Sequence, residues 1–170
     1  MIGRRNFLLS GCSAGVLAIP QISIGQMLLP KAGERASFYT IVYDERSPSS
    51  NAFGLYSRRR GLRVSPVGAD VTRLWYEDLY YRWRSGPAAI AGMTRAGALF
   101  CLETLGNDAG LRRVLAIEHV SDSATSGWQA AALRLVLDCP ASCRERQTRR
   151  TPIDPESLIT WALVPVERRA

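Results

Sequence analysis

Side chains that can do chemistry stand where several apolar runs of this chain end. Asp44 follows one β-rich run, Asp70 follows a second, and His119, the only histidine, closes a third. Ligands of α/β folds bind beyond the carboxyl ends of the strands, so the sequence predicts that these groups share one rim. A histidine beside carboxylates can serve general acid–base catalysis. The candidate catalytic residues are therefore His119, Asp44 and Asp70, and the candidate ligand-binding residues are Thr94, Arg95 and Glu118.

Each of these residues also has a structural interpretation. Asp70 and Thr94 precede helical patterns, where they are predicted to act as N-caps. Glu118 alternates outward from a strand, and His119 can cap a sheet edge or bond to a backbone carbonyl. The sequence leaves both interpretations open.

The segment at positions 92–97, Gly-Met-Thr-Arg-Ala-Gly, is the second candidate site. A helix start there would offer backbone N–H groups beside a hydroxyl and a guanidinium, a combination that favours anions. The segment lacks GxGxxG and the GK[ST] ending, so it is not a nucleotide-binding loop. A single histidine excludes a histidine-rich metal site. No cofactor is predicted.

The cysteines suggest a disulfide more than a redox centre. Cys139 and Cys143 bracket a short turn-like segment, and an oxidising compartment would permit a bond between them. Their CxxxC spacing is not the CxxC of thiol–disulfide enzymes. Cys101 falls on the apolar stripe of a predicted helix and is interpreted as a small core residue.

The elements that must position these groups alternate between strand and helix. The stretch Gly86–His119 is typical of one βαβ unit, and its Gly110-Leu111-Arg112 joint repeats Gly61-Leu62-Arg63. The predicted strands are Phe38–Tyr43, Arg63–Val67 (an edge strand), Ala88–Gly92 and Val114–Ile117. The predicted helices are Asn51–Arg60 and two more that start at Asp70 and at Thr94. After them we expect an antiparallel edge strand at Ala132–Leu137 and, at Ser157–Val164, a short helix in preference to a strand.

This alternation predicts an α/β fold. We expect three layers, with a mostly parallel sheet of about five strands and helices on both faces, flavodoxin-like or thioredoxin-like in outline. The aromatic ridge Val71, Trp75, Leu79 and Trp83 recurs at every fourth position and should face the core.

The charge balance does not favour nucleic acid as a partner. The formal net charge is +7, and 22 residues are basic, nearly all of them arginine. These arginines are scattered, apart from short runs at 58–60 and 144–150, and they do not alternate with aromatic residues along a strand. A solvated surface is the expected role for them.

The N-terminus predicts export. Residues 1–25 read MIGRRNFLLSGCSAGVLAIPQISIG, in which Arg4-Arg5 leads an uncharged apolar run. This segment resembles a twin-arginine (Tat) secretion signal, with cleavage expected before Gln26 and a single domain at 26–170. The lipoprotein box Leu9–Cys12 and an uncleaved membrane anchor are the alternatives. The resemblance implies a periplasmic or otherwise extracytoplasmic protein, the Tat export machinery as a partner, and membrane contact only during export.

Together these features predict an exported accessory or ligand-binding module without catalysis of its own. Tat substrates are often folded cofactor enzymes and the subunits that travel with them, so the resemblance implies an exported oxidoreductase as partner. The strand at Ala132–Leu137 and the basic segment Arg144–Arg150 are the expected contact surface. A small enzyme that uses the strand-end residues and a thiol-redox helper that uses Cys139 and Cys143 are the alternatives.

Overall fold

The computed structural model describes residues 35–119, 127–143 and 157–167. The predicted signal peptide at 1–25, its cleavage before Gln26 and the basic segment Arg144–Arg150 lie outside the described residues. So does the helix-start signature Asp154-Pro155-Glu156.

Five strands form one sheet in the order β2-β1-β3-β5-β4. The strands are β1 (Thr40–Asp44), β2 (Val64–Val67), β3 (Ile90–Arg95), β4 (Leu111–His119) and β5 (Leu158–Pro165). The helices are α1 (Pro48–Arg59), α2 (Thr72–Leu74), a π-helical turn (Trp75–Leu79), α3 (Tyr80–Arg84), α4 (Ala96–Asp108) and α5 (Trp128–Leu137). The predicted α/β class is confirmed.

The sheet is mixed because one strand runs against the others. β1 pairs parallel with β2 and with β3, whereas β5 is antiparallel to both β3 and β4. It follows that β1, β2, β3 and β4 all point the same way and that their carboxyl ends lie at one edge. As predicted, β2 is an edge strand. The order starts as in the flavodoxin-like sheet, 2-1-3-4-5, and departs from it where β5 enters between β3 and β4.

The antiparallel edge strand predicted at Ala132–Leu137 is wrong, because this segment belongs to helix α5. Leucines at every second position suggested a strand. The buried positions are Gln129, Ala132, Leu133 and Val136, which follow the helical spacing i, i+3, i+4, i+7. Leu135, which the strand pattern counted as buried, is 50% exposed.

The short helix favoured at Ser157–Val164 is also wrong, because Leu158–Pro165 is the antiparallel strand β5. Every residue of β5 except the last is buried. A continuous apolar run is typical of a strand covered on both faces. The capping signature before it had favoured a helix.

Alternate strand residues enter two hydrophobic clusters. Val42, Ile90 and Trp161 pack with Leu99 and Leu102 of α4 and with the ridge residues Val71, Leu74, Leu79 and Trp83. Ile41, Ala91 and Ala162 pack with Phe53 of α1 and with Ala132, Leu133 and Val136 of α5. Because neighbouring strand residues point to opposite faces, the clusters lie on opposite sides of the sheet. The ridge faces the core as predicted, although Trp75 is only partly buried.

Two glycines end helices as the sequence predicts. Gly61 follows α1 with φ of +76°, and Gly110 follows α4 with φ of +79°. Left-handed backbone of this kind suits glycine, which has no Cβ. Helix α1 starts at Pro48, three residues before the predicted start at Asn51, and the Ser47 side chain caps it by accepting a hydrogen bond from the Ser50 backbone N–H.

The centre of the sheet depends on a missing side chain at Gly92. A Cβ there would lie 2.3 Å from the Val42 carbonyl oxygen and 2.8 Å from the Trp161 ring. The Trp161 indole occupies that space and donates its Nε1–H to Thr94 Oγ1 at 2.9 Å. Trp161 is fully buried, so this hydrogen bond satisfies a polar group that no water reaches.

We expect Gly92→Ala to lower the free energy of unfolding by about 3 kcal/mol, because the new methyl group overlaps backbone and indole atoms that cannot move aside cheaply. Chemical denaturation measures the loss. Gly97→Ala, in the first turn of α4, is the matched control, because a Cβ there meets nothing within 4 Å. An equal loss in both variants would contradict the packing argument.

Candidate functional site

The carboxyl end of β1 places a buried carboxylate between two arginines. Asp44 Oδ1 accepts hydrogen bonds from the Arg46 backbone N–H at 2.9 Å and from Arg46 Nε at 3.1 Å. Asp44 Oδ2 accepts from Arg46 Nη2 at 3.0 Å and from Arg95 Nη1 at 2.9 Å. The Asp44 side chain is 1% exposed, whereas those of Arg46 and Arg95 are 45% and 29% exposed. We call these three residues the Asp44–arginine cluster.

Buried serines hold this cluster to the start of α1. Ser50 Oγ accepts from the Asp44 backbone N–H at 2.7 Å and donates to the Met93 carbonyl oxygen. It therefore joins the ends of β1 and β3, which are neighbours in the sheet. Ser47, Ser49 and Ser50 are all buried. The turn that carries Arg46 is thus fixed from both sides.

The Asp44–arginine cluster lies where the chain changes direction across the sheet. From β1 the chain passes through α1 to β2 on one side, and from β3 it passes through α4 to β4 on the other. Phe53 of α1 and Leu99 of α4 belong to opposite core clusters, so the two helices leave from opposite faces. This arrangement is a topological switch point, the place where open α/β sheets usually bind ligands.

His119 ends β4 at the same edge of the sheet but in a different environment. Its Nε2 lies 2.8 Å from the hydroxyl of Thr160, which is fully buried. Its ring lies 4.3 Å from the Trp128 ring, centroid to centroid, at an angle of 40°. Burial lowers the pKa of His119 below its usual 6.5, because desolvation disfavours the imidazolium.

The predicted rim exists, but its catalytic candidates do not converge. Leu158 pairs with Arg95 on one side and with His119 on the other, so a whole strand separates these two residues. By strand alternation, Asp44 shares a face with Val42, whereas His119 shares the opposite face with Leu158. Asp44 and His119 therefore act separately.

Asp70 and Glu118 are exposed at the ends of the two edge strands. Asp70 Oδ1 accepts from the Thr72 backbone N–H at 2.8 Å, and this bond lowers the pKa of Asp70. The predicted N-cap role of Asp70 is nevertheless wrong, because the N-cap of α2 is Val71 and Asp70 stands one residue before it. Glu118 lies next to His119 on β4 and, as predicted, points outward.

Thr94 is not the N-cap of α4, which corrects its predicted structural role. It belongs to β3 and is fully buried, and its hydroxyl accepts from the Trp161 indole and donates to the Arg95 carbonyl oxygen at 3.2 Å. A group without exposure cannot touch a ligand from solvent. Arg95 occupies the N-cap position instead, and its side chain makes no capping hydrogen bond.

The three described cysteines are free thiols, so the predicted disulfide between Cys139 and Cys143 is not formed in this structure. Burial, with a smaller contribution from Asp138, raises the pKa of Cys139 to about 11. Its thiol therefore stays protonated, and unreactive, at neutral pH. Cys101 is exposed, contrary to its predicted place in the core. The buried face of α4 is formed by Ala98, Leu99, Leu102 and Gly106.

Two grooves lie away from the rim. The larger, of about 370 Å³, runs between the π-helical turn and α4 and is lined mainly by Trp75, Tyr76, Phe100 and Leu105. Tyr76 and Phe100 are 65% and 59% exposed. The smaller, of about 240 Å³, includes Arg63 and Asp78, which form an ion pair at 2.8 Å.

Several contacts of these sites escaped sequence reasoning. Arg46, Ser50 and Thr160 gave no motif, and Asp78, which accepts a hydrogen bond from the Tyr39 hydroxyl, lies 39 residues from it in the chain. Arg46 stands two residues after Asp44, and this short spacing was the one local signal of their pairing. Pairing across strands decides the rest.

Comparison with known proteins gives no relative: no family model, no curated protein and no solved structure matches this chain. Within the described ranges, no helix has the length and apolar character needed to cross a membrane. In the same ranges, no three histidine, cysteine or acidic residues group as a metal site would require.

We expect Asp44→Asn to lower the free energy of unfolding by about 2 kcal/mol, because it removes the charge from a buried carboxylate that accepts four hydrogen bonds. Asp138→Asn is the control: Asp138 also pairs with an arginine, Arg35, but the two side chains are 58% and 76% exposed. Exposed pairs contribute about 0–1 kcal/mol. Equal losses in urea titrations would show that burial does not strengthen the Asp44 pairing.

The sole histidine allows a direct pH test. We expect proton NMR to give His119 a pKa below 6.5, because burial favours its neutral ring. The unfolded chain then binds more protons, so the His119 contribution to stability is complete above pH 6.5 and is lost as pH falls from there through the folded pKa. Wild-type minus His119→Gln stability, measured from pH 7.5 to 5.5, should decline in that direction. A flat difference, or a pKa above 6.5, would contradict the burial of this ring.

Proposed function

We propose that this protein is an exported accessory or ligand-binding module without catalysis of its own, most simply a partner subunit of an exported redox enzyme. The observation that carries the proposal is that the three catalytic candidates already form hydrogen bonds or ring contacts within the domain. Asp44 is bonded to two arginines, Asp70 accepts the backbone N–H of Thr72, and His119 contacts Thr160 and Trp128. Each group already has a structural partner, and Asp44 and His119 lie on opposite faces of the sheet.

The apolar groove beside α4 adds support for a partner subunit. Tyr76 and Phe100 expose large rings on its two walls, with Trp75 partly buried between them. Contiguous exposed apolar surface with a polar surround is where proteins commonly contact other proteins. The contact surface expected on a strand at Ala132–Leu137 is replaced by this groove, since that segment is helical.

A finer view of the fold accompanies this proposal. The two core clusters on opposite faces support a three-layer arrangement in which the sheet is the middle layer. The shared order β2-β1-β3 supports a flavodoxin-like outline for the first half of the domain, with β5 as the departure from it.

Export and lack of catalysis are tested together by complementation. A strain without this gene should lose exported redox activity, and the wild-type chain should restore it. Arg4→Lys with Arg5→Lys should fail to restore it, because the paired arginines are what the resemblance to a Tat signal requires. His119→Gln should restore it fully, because a subunit does not depend on that imidazole. Cell fractionation with a C-terminal tag follows the location of each variant.

Two outcomes would count against the proposal. Export of the double-lysine variant at the wild-type level would contradict the twin-arginine interpretation. A folded, exported His119→Gln variant that restores nothing would favour the alternative, a small periplasmic enzyme that uses the rim.

A further inference from the structure

We propose, on the basis of the ligand-binding role above and depending on it, that the smaller of the two grooves binds a free α-amino acid. This groove, of about 240 Å³, lies between the edge strand β2 and the helical segment at 72–84, and we call it the β2 groove. In it Arg63 and Arg73 take the carboxylate of the ligand, and Glu77 takes its ammonium group.

The strand and the helical segment present polar side chains to the same side of the sheet. Val67 of β2 packs in one core cluster with Leu74 of α2. Because strand residues alternate between faces, the positions two and four residues before Val67 point to that side as well. The polar residues that line the β2 groove are Arg63 and Ser65 from the strand side and Arg73, Glu77 and Asp78 from the helical side.

Arg63 is oriented before any ligand arrives. Its Nη2 donates to Asp78 Oδ2 at 2.8 Å, and its guanidinium carbon lies 4.4 Å from the centroid of the Tyr39 ring. The Tyr39 hydroxyl holds the other oxygen of Asp78 at 2.5 Å. The Arg63 side chain is nevertheless 51% exposed, and among the described residues only one of its five N–H groups is hydrogen-bonded. A carboxylate from solvent therefore meets a guanidinium group that is already in place.

Arg73 and Glu77 bring opposite charges to the β2 groove without neutralising each other. Residues four apart on an α-helix are neighbours and commonly pair. Here the π-helical turn Trp75–Leu79 begins between them, and its wider turn changes that spacing. Both side chains are exposed, and neither has a hydrogen bond or ion pair within the described ranges. Turns of this kind are frequent at functional sites.

These charges select a ligand that carries both signs. Asp78 is already occupied by Arg63 and Tyr39, which leaves the Glu77 carboxylate and the guanidinium of Arg73 to be paired. A simple anion would be repelled by Glu77, and a simple cation by Arg73, whereas a zwitterion pairs with both. The volume of about 240 Å³ is below the roughly 300–1,000 Å³ of pockets for drug-sized ligands. An α-amino acid combines the two charges in a small molecule.

A peptide strand added to the free edge of β2 is the competing occupant, and the edge does not favour it. The carbonyl oxygens of Arg63 and Val67 accept hydrogen bonds from β1, so the residues that face outward are Val64 and Pro66. Proline has no backbone N–H, so the outer edge of this four-residue strand offers the N–H of Val64 alone. Strand addition draws its affinity from main-chain hydrogen bonds. A small ligand therefore fits the β2 groove better than an extended peptide.

Titration calorimetry of the full chain at low ionic strength tests the proposal, with L-alanine as the probe. We expect saturable binding. Arg73→Gln and Glu77→Gln should each weaken it at least about tenfold, because each variant removes a charge-assisted hydrogen bond to the ligand. Both side chains are exposed, so the variants should fold, and melting curves without ligand check this.

Two derivatives of the probe show which end of the ligand meets which residue. N-acetyl-L-alanine lacks the ammonium group and L-alaninamide lacks the carboxylate, so both should bind at least about tenfold more weakly than L-alanine. Glu77→Gln should leave the affinity for N-acetyl-L-alanine within about twofold, and Arg73→Gln should do the same for L-alaninamide, because the lost partner is already absent. A residue with a purely structural role would change the affinity for all three probes alike.

Arg58→Gln on α1 and Asp108→Asn at the end of α4 are the matched controls. Each removes a charge from an exposed helical position outside the β2 groove, and its affinity for L-alanine should stay within about twofold of wild type. The proposal is overturned if L-alanine does not bind, if the controls weaken binding as much as the groove variants, or if end-capped tetra-alanine binds and L-alanine does not. A chain that binds no amino acid can still pass the complementation test, and one that fails that test can still bind L-alanine, so the two proposals can fail separately.

Discussion

The Trp161 indole can lie against the centre of the sheet only because residue 92 has no side chain. A methyl group at that position would overlap the Val42 carbonyl oxygen and the indole ring. The Thr94 hydroxyl then receives the indole N–H, which would otherwise be buried without a partner. These two contacts fix β5 against β3 in one register, since a slip of one residue would turn Trp161 to the other face.

That register has consequences at the edge of the sheet. It sets Leu158 between Arg95 and His119 and brings Thr160 beside the imidazole. A parallel β4 directly beside β3 would have brought His119 one strand closer to Arg95. The antiparallel insertion of β5 therefore separates one predicted rim into two environments, a charged cluster at the switch point and a half-buried histidine packed on α5.

The sequence was informative where the signals are local. The Ser47 cap, the glycine stops at Gly61 and Gly110, and the aromatic ridge are consequences of residues close in the chain, and the structure contains them. In the second half of the chain the prediction failed at α5, because Leu133, Leu135 and Leu137 fit a strand period, whereas the residues that are buried, Ala132, Leu133 and Val136, fit a helix period. The place of β5 in the sheet depends on Gly92, which is 69 residues away from Trp161 in the chain, and no local pattern reports such a pairing. For the same reason the rim positions of Asp44 and Arg95 could be predicted, but their mutual contact could not.

A buried carboxylate held by two arginines is an expensive way to stabilise a domain. Moving a charge out of water costs several kcal/mol, and an apolar residue of similar volume often serves stability as well or better. Packing alone therefore does not explain Asp44, because an apolar residue such as those at Ile41 and Val42 of the same strand would be buried at lower cost. What the carboxylate adds, within the described part of the chain, is a charge-assisted link between the ends of β1 and β3, made through Arg95.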